Sequence, residues 1–250
     1  MNQSPEVSWT RRVRTATDAA QFIDAVGYCL LFPIKGLPLP SLYYAVARRQ
    51  AITWDKYTEK VWEWKDELPR RRKVFYAKYF KMRGTFISLK LLPHFLASRG
   101  APFDGDDAER FYASGRITHH ARTIWQTLAE HGPLATLELR HVCKMDSKAG
   151  NARFKQAMIE LQCLLVVVHF GAEQETAAWA SNRFELVARA FPNQVRAARR
   201  ITPERARAII AAKYSEWHPG ASPEVLKRLF GWSKVEARAA MLHPGKKVKR

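Results

Sequence analysis

Thr118-His-His-Ala-Arg-Thr-Ile-Trp-Gln-Thr-Leu-Ala-Glu-His-Gly-Pro-Leu-Ala-Thr136, THHARTIWQTLAEHGPLAT, is the stretch on which the fold turns. Thr118 is a helix N-cap residue, and Ala121, Ile124, Trp125 and Leu128 then recur on one face of a helix. Gly132-Pro133 stops that helix, and Thr136 opens a short second one over Leu137 to Val142. A third helix follows Lys144-Met-Asp-Ser147, with Phe154, Met158 and Leu161 facing inward. Leu164 to Phe170 is β-branched and apolar, and Arg183-Phe-Glu-Leu-Val187 supplies a hairpin partner across a polar loop. Three helices closed by a two-stranded ribbon predict a winged helix.

Similar units are expected on either side. Upstream, Thr15-Ala-Thr-Asp18 caps a helix carrying Ala19, Phe22, Ile23 and Val26, and Ser41 caps a second through Arg49. Between them runs VGYCLLFPIKGLPLPSL, Val26 to Leu42, which reads as a stiff packed turn whose path Pro33, Pro38 and Pro40 fix. Ile87 to Leu96 reads as helical, and Gly100 to Asp107 as a linker. Downstream, Pro203 to Tyr214 is helical, Ser222-Pro223 opens a short helix, Gly231-Trp232 turns, and Ser233-Lys-Val-Glu236 is a capping box. The expected class is mainly α with small β wings (α+β), built from tandem winged-helix and helix-turn-helix units. We divide it at 1–115, a winged-helix-like unit with an aromatic and acidic segment; 116–198, the central winged helix; and 199–250, a helix-turn-helix unit with a basic tail.

Charge points to the partner. The 250 residues carry a formal net charge of +19, which attracts nucleic acid first and acidic lipid headgroups second. Residues 199–250 alone hold 13 Lys and Arg against 4 Glu. Candidate phosphate contacts are Arg70, Arg71, Arg72 and Lys73; Lys148, Asn151 and Lys155 on the third helix of the central unit; Lys234 and Arg238, one turn apart; and Lys246 and Lys247 in the tail. Cys29, Cys143 and Cys163 form no CxxC pair, which suits a reducing cytoplasm, and Cys163 reads as core. His119-His120 point apart on a helix, so no metal or other cofactor is expected. The longest apolar run is far short of a membrane span, and no heptad seam offers a dimerisation helix. A cytoplasmic monomer on double-stranded DNA is the expectation.

The segment Trp62-Glu-Trp-Lys-Asp-Glu-Leu-Pro69 is the best chemical candidate. Carboxylates among aromatics lose hydration, which raises their pKa and suits acid–base work. Asp66 and Glu63 are the candidate carboxylates, with a buried Lys65 or Lys35 as a candidate amine nucleophile. The same groups could instead pair with the adjacent Arg70-Arg-Arg-Lys73.

These segments resemble the AlkZ-like DNA glycosylase family, built from tandem winged-helix units. Gly27 to Arg48, with Leu30-Leu31 and Leu42…Arg48, is similar to the family's G-x-L-Q-x-D/Q…L…R segment. Trp62 to Pro69 is similar to its E-x-W-x-H-x-A-x-L-x-P block. The resemblance implies excision of alkylated bases and unhooking of crosslinks, with a QxQ or QxD pair positioning the attacking water. Phe32 and Ile34 stand at those two positions, separated by Pro33, and neither side chain orients water. Lys65 or Asp66 stands near the place of the block's His. The expectation is a DNA-binding protein on a glycosylase scaffold that recognises damaged or distorted duplex DNA, without excision through the Gln motif. The alternative is a winged-helix transcriptional regulator.

Overall fold

The computed structural model describes residues 11–100, 107–174 and 180–242. Its first unit opens on α1 (Ala16–Val26), where the Thr15 hydroxyl accepts from the Asp18 N–H and the Asp18 carboxylate accepts from the Thr15 N–H, a reciprocal cap. Gly27 ends the helix, and the chain enters β1 (Tyr28–Leu30). Ser41 caps α2 (Leu42–Ala47), and Asp55 caps α3 (Lys56–Arg70), which tolerates Pro69 only because it falls in the last turn. β2 (Val74–Lys78) and β3 (Gly84–Ser88) form a hairpin, and α4 (Leu92–Ser98) follows.

The second unit repeats the order. After α5 (Asp107–Ala113) come α6 (His119–His131), β4 (Leu134–Ala135), α7 (Thr136–Val142), α8 (Lys148–Cys163), β5 (Val167–Gln174) and β6 (Ala180–Leu186). Each sheet is antiparallel and three-stranded with the last strand in the middle, β1-β3-β2 and β4-β6-β5. Both units therefore run helix, strand, helix, helix, strand, strand, the order expected of a winged helix. The Thr118 cap on α6 is tied to the third helix, since Glu160 accepts from its N–H at 2.9 Å and its hydroxyl at 2.8 Å. The chain continues through α9 (Val187–Ala190), α10 (Pro192–Ala198), α11 (Pro203–Trp217), α12 (Pro223–Phe230) and α13 (Lys234–Leu242). Ser222 caps α12, and Ser233 and Glu236 form the capping box of α13.

Three sequence expectations are corrected. Tyr28 to Leu30 is an edge strand in register with Thr85 to Ile87, because the prolines of the apolar stretch all lie beyond it. Ile87 and Ser88 belong to that sheet rather than to a helix, and α4 starts only at Leu92. Cys163 is partly exposed at the end of α8, its thiol 3.3 Å from the Lys78 carbonyl.

One core runs from Tyr28 to Ala240, across the units. α11 lies on α4, and the Trp217 indole N–H donates to the Val26 carbonyl at 3.2 Å. Tyr28 meets Phe95, Trp217 and Phe230 edge to face at 5.2–6.0 Å. A second cluster, with Phe22, Ile23, Tyr43, Trp64 and Phe86, fills the other side of the first sheet. No helix among the described residues is long and apolar enough to cross a membrane.

Candidate functional site

The third helices of the two units, α3 and α8, face the same cavity. It measures about 420 Å³ and is walled by Trp62 and Lys65 from α3, Tyr76 and Lys78 from β2, and Phe154, Lys155, Met158, Ile159 and Gln162 from α8. Thr136, His169, Asn182 and Phe184 complete its lining. Gln162 holds the walls in register: its side-chain carbonyl accepts from the N–H of Lys78 on the edge strand β2 at 3.0 Å, and its amide donates to Met158.

Behind this surface lies a buried ionic group. Asp66 Oδ1 accepts from Lys65 Nζ at 2.7 Å and from His169 Nε2 at 2.5 Å. The Lys65 and His169 side chains are almost wholly buried, and that of Asp66 is 25% exposed. Burial pushes Asp66 upward, but the His169 and Lys65 interactions outweigh it and hold the carboxyl below its ordinary value. Burial dominates at His169 and lowers it despite Asp66, so near neutrality a neutral imidazole donates Nε2–H to an ionised carboxylate. Burial also raises the Tyr76 phenol, whose ring meets His169 edge to face at 5.4 Å. Asp66 itself is not part of the cavity wall; Lys65 and His169 are. The carboxylate thus borders the cavity only through the two groups it holds.

A bulge makes this meeting possible. The β5–β6 register shifts between His169 and Ala172, and Gly171 adopts φ +99°. A Cβ there would lie 3.2 Å from the Cβ of Arg70, so glycine lets the end of α3 lie against β5. Arg72 crosses the same bulge, its guanidinium 5.8 Å from the Phe170 ring centroid.

The expected site residues fall into separate places. Glu63 is exposed on α3 and does not line the cavity. Lys35, expected to be a buried amine, is exposed, because it lies in the turn before Gly36. Phe32 packs on Tyr43 and stacks beside Trp62 with centroids 6.5 Å apart, while Ile34 packs against the main core. The position matching the family's first Gln is thus one ring removed from the cleft. Arg70, Arg71, Arg72 and Lys73 are exposed at the α3–β2 turn, where Arg71 pairs with Glu67 at 2.9 Å. On α8 Lys148 is exposed, Asn151 is half-buried, and Lys155 reaches the cavity rim. Lys234 and Arg238 are exposed together on α13. Lys246 and Lys247 lie outside the described residues. The rings of His119 and His120 sit 5.7 Å apart, and no group of three His, Cys, Asp or Glu among the described residues is arranged to hold a metal ion.

Sequence reasoning found Lys65 and Asp66 but missed His169, Tyr76 and Gln162. His169 breaks the apolar run Leu164 to Phe170, a local mark of a polar group that names no partner.

The fold defines a mainly α protein with two small β wings whose third helices share a cleft. The chain belongs to the AlkZ-related family, whose profile matches residues 13–231. Its scaffold is accordingly DNA glycosylase-like. No curated protein and no solved structure matches the chain.

Proposed function

We propose that this protein binds double-stranded DNA as a monomer and recognises damaged or distorted sites on its glycosylase-like scaffold, with the three-part division at residues 115 and 198. The observation that carries the reading is the cleft: the helices that a winged unit offers to DNA converge there, and Lys65, Lys78 and Lys155 line it. Arg70 to Lys73, Lys148, Asn151, Lys234 and Arg238 extend the cationic surface. Helices turned toward each other weigh against an operator-reading regulator, which presents its recognition helix outward.

Base release through the Gln motif is not part of this function, since Phe32 and Ile34 hold its positions. Two measurements test the proposal. Binding to duplex DNA is expected to weaken steeply as salt rises, and salt-independent affinity would remove its electrostatic basis. Methylated and crosslinked duplexes, treated with alkali after incubation, are expected to show little cleavage at abasic sites. Strong cleavage lost in Asp66→Asn would instead make this an excising enzyme with Asp66 essential.

A further inference from the structure

The first sheet divides the molecule into two layers. Cys29, Val74, Tyr76 and Phe86 face α3 and the cleft, while Tyr28, Phe75, Ala77 and Ile87 face the core that α4, α10, α11 and α13 complete. On the outer side of this second layer lies a charged face that takes no part in the cleft. Residues 192–208 and 233–242 hold seven Lys and Arg against two carboxylates, Glu204 and Glu236. Both carboxylates are taken up by Arg207, a nearly buried side chain whose guanidinium lies 3.2 Å from Glu204 and 3.1 Å from Glu236. Glu236 also accepts from the Ser233 N–H at 2.8 Å. Arg196, Arg200 and Arg205 stay exposed, and none of them has an ion-pair partner among the described residues. Arg205 reaches α4, where its charge adds to burial in depressing His94. A basic surface whose own acids are neutralised from within keeps its field directed at solvent, and repulsion among its cations is relieved when a polyanion arrives.

We propose that the α10–α11 arginine face is a second duplex-binding site, so that one chain holds two DNA segments, one on each side of its first sheet. This rests on duplex binding at the cleft and adds a site to it. Arg196, Arg200 and Arg205 carry planar forks that match phosphate oxygens two at a time, and they stand on helices anchored in the core. Between Pro192 and Arg205 no large apolar side chain is exposed. That favours a phosphate backbone over a membrane surface, where an interfacial helix needs an apolar face. Lys234 and Arg238, on the helix that carries Glu236, adjoin the face. Contacts of this kind read no bases, so the second segment is held whatever its sequence.

The test uses the full chain and two fully paired duplexes of about 20 base pairs, one carrying a donor dye and the other an acceptor. Energy transfer reports bridging, sedimentation gives the number of chains and duplexes in each complex, and anisotropy follows the first duplex alone. One chain is expected to take up two duplexes at low salt, with energy transfer between them. With three arginine contacts, the second duplex should bind about forty-fold more weakly at about 200 mM than at about 50 mM salt. Arg196→Ala, Arg200→Ala and Arg205→Ala combined are expected to abolish transfer and to change affinity for the first duplex by less than about two-fold, as distant sites act independently. The matching Lys substitutions, which keep the charge, retain most of the transfer. Saturation at one duplex per chain, transfer that survives the Ala variant, or transfer confined to complexes of two chains overturns the inference while leaving duplex binding intact. So does an Ala variant that loses the first duplex as fully as the second, which makes the arginines part of one continuous site. Loss of binding to phosphatidylserine–phosphatidylcholine vesicles in that variant, with one duplex per chain throughout, assigns the face to a membrane and overturns it too. Failure to bind any duplex overturns both this site and the proposed function.

Discussion

Asp66 draws together two donors that lie 103 and 1 residues from it: Lys65 is its chain neighbour, and His169 comes from the second unit. Removing the charge leaves a buried ammonium without its counter-ion. Asp66→Asn is therefore expected to cost about 2–3 kcal/mol in denaturant melts at pH 7. The pH dependence has a definite sign. His169 is depressed in the folded state, so its contribution is complete above the ordinary histidine value of about 6.5 and is lost as pH falls toward its folded value. Acidification from pH 7.5 through 6 should lower the melting temperature, and His169→Gln should flatten that slope. His94, also depressed by burial, acts in the same window, so the difference between the two proteins isolates His169. Asp66, held below its usual value, adds a further loss only below about pH 4. Two of these three residues were legible from the sequence alone, since Lys65 and Asp66 stand in one aromatic helix. His169 was not, because nothing local in β5 announces a partner on another unit.

At the scale of elements, the caps and the β5–β6 hairpin were legible and the short edge strands were not. Thr15, Ser41, Thr118, Ser147, Ser222 and Ser233 act where a short hydroxyl side chain meets helix N–H groups three residues ahead, which is local chemistry. Ser233→Ala should cost about 1 kcal/mol and loosen the helix that carries Lys234 and Arg238. By contrast, β1 and β4 have three and two residues and take their pairing from β3 and β6, more than forty residues away. No run of that length holds a readable period. Two glycines give sharper tests of the site. Gly171→Ala meets both a positive φ and the Arg70 side chain, and should cost about 1–3 kcal/mol while separating Asp66 from His169. Gly150 sits in the first turn of α8, where an added Cβ would stand 2.8 Å from the Met145 backbone. Alanine there should destabilise the protein, reversing its usual benefit inside a helix, and thermal melts of both variants decide it.

At the scale of the whole molecule, the proposed function has DNA met through charge spread over several elements. Replacing Lys234 and Arg238 together by Ala should lower affinity similarly for all duplexes and reduce the slope of log K against log salt by about 2. The basic balance and the class of fold were readable from composition and pattern. The convergence of α3 and α8 was not, because the angle between two units depends on packing across a shared core, with contacts such as Gln162 to Lys78 spanning 84 residues.

That shared core also sets a schedule for synthesis. Tyr28, Phe80 and Phe95 leave the ribosome more than 120 residues ahead of Trp217 and Phe230, which cover them. At about 5–20 residues per second, the nascent chain carries an uncovered aromatic surface for roughly seven to thirty seconds. A protein whose finished form is highly charged thus passes through a sticky adolescence, and a chain shortened before α11 should stay there, binding hydrophobic dyes and aggregating.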